Sequence, residues 1–121
     1  MNYRLERVNS ELQKCITVII RDRIKNPRVS EMVSVTDVSV SKDLKTARVY
    51  VSIYGNKEKM QSTFEALKQS EGFIRHELSI ELKHLRAVPQ LNFIEDTAGE
   101  YGQHIDSLIK EIKKNDDIAG N

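Results

Sequence analysis

The chain is predicted to fold as an α+β sandwich, a small mixed three-stranded sheet with helices packed against one face. Two observations carry that expectation. First, Ala47, Val49, Val51 and Ile53 alternate strictly with Arg48, Tyr50, Ser52 and Tyr54, which is the period of a half-buried strand. Second, the apolar pattern then changes to helical spacing and stays helical through two successive segments before Pro89 and a further strand. The element order is α-β-β-α-α-β-α, and a crossover through two helices makes the second and third strands parallel.

From Tyr3 to about Ile24, Leu5, Val8, Leu12, Cys15, Ile16 and Ile19 recur at three- and four-residue steps and form one apolar stripe. At roughly 100° per residue, Arg4, Arg7, Lys14, Arg21 and Lys25 gather away from that stripe, interrupted by Glu11 and Val18. Asn26-Pro27 should end this helix, because the residue before proline is driven out of the α region. The parity of Val33, Val35, Val38 and Val40 shifts midway, so a β-bulge near Thr36-Asp37 or a late-starting strand is expected. Lys42 to Lys45 turns the chain into the alternating strand, and Gly55-Asn56 closes it. Met60, Phe64 and Leu67 mark the next helix. Another begins at Gly72 and should bury Ile74, Leu78, Leu82 and Leu85, with Gly72 at the break between the two. Leu91 and Phe93 give the third strand, and Ile105, Leu108, Ile109 and Ile112 a final helix. The expected core joins Val49, Val51 and Ile53 to Leu12, Ile16, Ile19, Ile74 and Leu78.

A length of 121 residues bounds the chain at one domain, placed at residues 1–115 with a short polar tail at 116–121. The longest apolar run, Cys15 to Ile20, falls well short of the ~20 residues of a membrane span. The N-terminus lacks the apolar segment of a secretory signal. A single cysteine, Cys15, cannot form an internal disulfide, which suits a reducing cytoplasm; its place on the apolar stripe marks a structural thiol. No phosphate loop, HExxH or Cys/His cluster is present, and His76, His84 and His104 have no nucleophile at a recognised spacing. The chain is therefore expected to be non-catalytic, without metal, cofactor or small-molecule substrate.

The formal charge of +1 conceals segregation. Residues 1–28 hold seven Lys/Arg against three acids, whereas residues 90–121 hold three against seven. A basic face, not the net charge, decides whether a polyanion binds. On the helix from Gly72, Arg75, His76, Ser79, Lys83 and Arg86 are expected to project within about a 100° arc, and cations flanking a hydroxyl suit a ribose-phosphate backbone. Lys42, Lys45 and Arg48 at the hairpin, Arg21, Lys25 and Arg28 in RDRIKNPR, and Arg4 complete the candidate RNA contacts. The ordinary alternative, a solubilising charged face on an α+β interaction module, stays open at this level. So does the choice for Tyr50 and Tyr54 between stacking on bases and packing across strands.

Strand, two helices and strand in this order also match the core of a KH-type RNA-binding domain. The segments RDRIKNPRV at Arg21 to Val29, VSKDLKTARVYVS at Val40 to Ser52, GFIRHEL at Gly72 to Leu78 and LRAVPQLNF at Leu85 to Phe93 together make the chain resemble bacterial ribosome-binding factor A along nearly its whole length. The resemblance implies a type II KH-like fold in which an interhelical kink of the form Ala-x-Gly replaces the GxxG loop. Here the kink reads Ser70-Glu71-Gly72, with an acid where phosphate would lie in a KH loop. It further implies a cytoplasmic, monomeric assembly factor for the free small (30S) ribosomal subunit. Such a factor contacts 16S rRNA near its 5′-terminal helix, supports late maturation and 5′-end processing, and has a part in cold adaptation. A more general KH-like RNA binder is the nearest alternative.

Overall fold

A computed structural model describes residues 3–96. The expected final helix around Ile105 to Ile112, His104 and the tail at 116–121 lie outside the described residues. Helix α1 spans Tyr3–Val18 and passes into one π turn, Ile19–Arg23, closed by the Ile24 amide donating to the Ile19 carbonyl at 3.2 Å. The wider turn lets Ile19 and Ile20 both face inward, 0% and 2% exposed.

Pro27 does not lead directly into a strand. It opens a short helix, α2 (Pro27–Met32), whose N-cap is Asn26: its Oδ1 accepts from the Arg28 amide at 3.0 Å. Proline suits the first helical position, where its missing N–H would be unpaired in any case. This helix was not expected, and it places Val29 in the core.

Strand β1 (Val33–Val40) pairs antiparallel with β2 (Thr46–Ile53), which pairs parallel with β3 (Gln90–Glu95), so β2 lies at the centre. The register slips between Val35 and Asp37, so of the two alternatives left by the valine parity the fold takes the bulge. Val38, Val40, Ala47, Val49, Val51, Ile53, Leu91 and Phe93 are buried on one face of this sheet. Against them pack Leu12, Ile16 and Ile19, joined by Ile74 and Leu78 from α4 (Glu71–Glu81) and Leu67 from α3 (Lys57–Gln69). Every residue of the expected core is buried. Leu82 and Leu85 are only half-buried, because α4 stops at Glu81.

The joint between α3 and α4 falls at Ser70, with φ −88° and ψ 1°. Its amide donates to Leu67 O at 2.9 Å and its hydroxyl to Ala66 O at 3.0 Å. Gly72 is an ordinary helical residue of α4, and a Cβ there would meet nothing within 4 Å. The expectation that glycine is required for a kinked backbone is therefore corrected: the break lies two residues earlier, at a serine.

Candidate nucleic-acid interface

Three hydrogen bonds bring separate elements together at the hairpin end of the sheet. Asn9 Oδ1 on α1 accepts from the Val40 amide at 2.8 Å, holding the start of α1 beside the end of β1. The Gln90 amide donates to Lys45 O at 2.9 Å, holding the start of β3 beside the hairpin. In the connector from α4 to β3, His84 Nε2 lies 2.9 Å from Glu11 Oε1 on α1. Between these ties opens a groove of about 1140 Å³, lined by the first two turns of α1, the hairpin turn and residues 84–89.

The turn itself is held by the Asp43 carboxylate. Asp43 Oδ1 accepts from the Ser41 hydroxyl at 2.7 Å and from the Lys45 amide at 3.0 Å. The Ser41 hydroxyl, and then the Lys45 amide, hold the Asp43 carboxyl below its ordinary pKa. Leu44 takes a left-handed conformation, φ 61°, which side chains with a Cβ rarely adopt. Its half-buried side chain reaches both the core and the groove.

Four guanidinium or ammonium groups line this groove: Arg4, Arg7, Lys45 and Arg86. Among the described residues, Arg7, Lys45 and Arg86 enter no ion pair. The two acids of the lining, Glu11 and Asp43, are already engaged by His84 and by the turn. Four cations against two carboxylates leave the groove net positive toward an incoming anion.

The structure brings together only three of the residues expected at an RNA contact: Arg4, Lys45 and Arg86. Arg7 and His84 join them without having been placed there. Arg7 was legible as the neighbour of Arg4 one helical turn on, whereas nothing in the sequence paired His84 with Glu11. Lys42 is exposed on the same hairpin, outside the groove.

The other candidates scatter. Arg21 is exposed and ion-paired with Asp22 at 3.1 Å. Lys25 is exposed in the link before α2, and Arg28 donates to Ser62 Oγ at 2.9 Å. Arg48 stands on the outer face of the sheet, opposite Ser39 and Asn92. On that face Tyr50 is half-buried between Asp37 and Ile94, and Tyr54 lies past the end of β2.

The arc proposed for Arg75, His76, Lys83 and Arg86 does not form. His76 is exposed on α4, but Lys83 and Arg86 follow its last turn and leave the helical period. Arg75 is half-buried and its Nη2 donates to Val88 O at 3.1 Å, so it braces the connector. At the joint, Glu71 Oε2 accepts from the Leu91 amide at 2.9 Å. That carboxylate faces the start of β3 and serves the fold.

Arg23 at the end of the π turn forks onto α4, with Nη1 2.7 Å from Glu77 and Nη2 2.8 Å from Glu81. Cys15 is half-buried nearby. Burial first, then the charge of Glu81, raises its thiol above the ordinary value, the reverse of what a nucleophile needs. Among the described residues there is no group of three possible metal ligands, and no helix is long and apolar enough to cross a membrane.

Comparison with known proteins agrees with this architecture. The family model described as ribosome-binding factor A matches residues 4–109. A "Ribosome-binding factor A" of Caldanaerobacter subterraneus subsp. tengcongensis is 46% identical over 114 residues, spanning 94% of this chain and 93% of that protein. The crystal structure of ribosome-binding factor A from Thermus thermophilus superposes with a TM-score of 0.65 at 23% identity, covering 75% of this chain and 94% of that one. Coordinates of the Thermus thermophilus factor fitted into a cryo-electron microscopy map of its complex with the 30S subunit give a TM-score of 0.60 at 24% identity, covering 74% and 91%.

Proposed function

The chain belongs to the ribosome-binding factor A family, a family of non-catalytic ribosome assembly factors, and from that premise we propose that it binds the free 30S subunit through 16S rRNA held at the hairpin-end groove. The observation that carries the reading is the convergence of Arg4, Arg7, Lys45 and Arg86 on one concavity that holds only two acids. Cations held by three separate elements form a surface that tracks a phosphate backbone and positions the protein without reading sequence.

The Thermus thermophilus relative is described in complex with the 30S subunit, and the same partner suits this chain. Within that reading, the protein engages rRNA near the 5′-terminal helix and supports late maturation and 5′-end processing. Cold adaptation follows, since misfolded rRNA helices rearrange more slowly when cold. It acts as a cytoplasmic monomer.

Sucrose-gradient co-sedimentation tests the proposal. The protein should travel with free 30S subunits, leave 70S ribosomes unbound, and dissociate as salt rises. Equal recovery with every ribosomal species, or with none, would overturn it.

A further inference from the structure

The hairpin-end groove is only half explained by charge. Its cations are exposed, but Leu44, Leu85 and Val88, half-buried, and Pro89, buried, line it as well. A site that held only phosphates would gain nothing from an aliphatic floor. In RNA the apolar surfaces are the faces of the bases, and in a duplex these are stacked out of reach. Resting on the RNA reading above, we propose that this groove takes an unpaired nucleotide, its base against Leu44 and Leu85 and its phosphate against Arg7, Lys45 and Arg86.

The conformation of Leu44 is an independent sign. Its φ of 61° is one that glycine or asparagine adopts readily and a branched aliphatic residue does not. The turn is closed by Asp43 and Ser41, so a glycine at 44 would serve it as well. What leucine adds is a hydrophobic side chain shared between the core and the groove, held there against its backbone preference. Strained positions of this kind concentrate where a side chain serves a ligand.

The walls fit the same occupant. Guanidinium planes stack on bases without regard to identity, and Arg7 and Arg86 are free of ion pairs among the described residues. A volume of about 1140 Å³, slightly above the range usual for ligand pockets, accommodates a nucleotide with its flanking phosphates. Ser70, Glu71 and Gly72 are not among the residues that line the groove, so the joint does not contribute to this site.

The test uses the full chain and a short oligouridine carrying one central 2-aminopurine. Binding should change the 2-aminopurine fluorescence. Unlabelled single strand should compete, whereas a duplex of the same length and a polyglutamate peptide should not. Leu44→Gly relieves the strained backbone and keeps every cation. Its melting point sets relieved strain against lost packing on the core, and at a temperature where it stays folded it should bind the oligonucleotide at least about fivefold more weakly. Leu85→Ala should weaken binding in the same direction.

Equal competition by duplex would overturn the inference in favour of backbone-only contact, and stronger competition by polyglutamate would make the groove a protein interface. Unchanged affinity in a folded Leu44→Gly protein would also overturn it. A wild type that co-sediments with 30S subunits but leaves 2-aminopurine silent sinks the nucleotide site and spares the assembly function. One that answers the oligonucleotide and ignores subunits does the reverse.

Discussion

Glu71, the first residue of α4, accepts a hydrogen bond from the backbone amide of Leu91 in β3, 20 residues further on, at 2.9 Å. The contact ties the interhelical joint to the edge strand of the sheet. An acid that looks hostile to phosphate in the sequence is, in the fold, a substitute for a missing strand partner.

Glu71→Ala should therefore lower stability by about 1–3 kcal/mol, because a charge-assisted bond is lost and a partly buried amide is left unpaired. Glu71→Gln should recover part of this, since an amide oxygen still accepts. RNA affinity of the folded protein should not change in either variant. Thermal melts alongside an rRNA-fragment titration check both halves, and a folded Glu71→Ala protein that no longer binds RNA would make the joint a contact site.

Gly72→Ala should be neutral or stabilising by up to about 1 kcal/mol, since alanine is the better helix former and the new methyl meets open space. A clear loss in a denaturant melt would contradict the helical placement of Gly72.

Val51 is wholly buried at the centre of the sheet. Val51→Ala should cost about 1–3 kcal/mol through lost burial and a residual cavity. The variant should lose subunit binding only at temperatures where it unfolds. An unchanged melting curve would overturn the packing of β2 between β1 and β3.

Charge reversal separates the groove from the other basic positions. Arg7→Glu with Lys45→Glu should weaken 30S binding and flatten its dependence on salt, because fewer counterions are released. His76→Glu with Lys83→Glu, placed on α4 and just beyond it, should change both far less. Equal losses from the two pairs would mean that diffuse charge governs binding.

Asp43 carries the pH prediction. Its folded pKa is depressed, chiefly by the Ser41 hydroxyl, below the unfolded value near 3.8. Its contribution is thus complete above about pH 4 and is lost as pH falls through the folded value. The stability difference between wild type and Asp43→Asn in denaturant melts should shrink from pH 7 to pH 3. A difference that holds constant over that interval would show that the turn does not depend on the ionised carboxylate.

Local periodicity by itself determined the strands, both central helices and the buried set from Leu12 to Leu78, because alternation and helical spacing directly encode which side chain faces the core. The family resemblance was legible in the same way, in four short segments kept in order. That the parity shift is a bulge and not a late start was decided by the pairing of β1 with β2. Tertiary structure decided where the helical period stops. Once α4 ended at Glu81, Lys83 and Arg86 left the arc that a longer helix would have given them. It also decided which cations meet. Arg4, Arg7, Lys45 and Arg86 come from segments far apart in the chain, gathered by the Asn9–Val40, Lys45–Gln90 and Glu11–His84 contacts. A side chain's own spacing reports its face on one element, while a groove is a property of several elements at once, so only the assembled fold could reveal it.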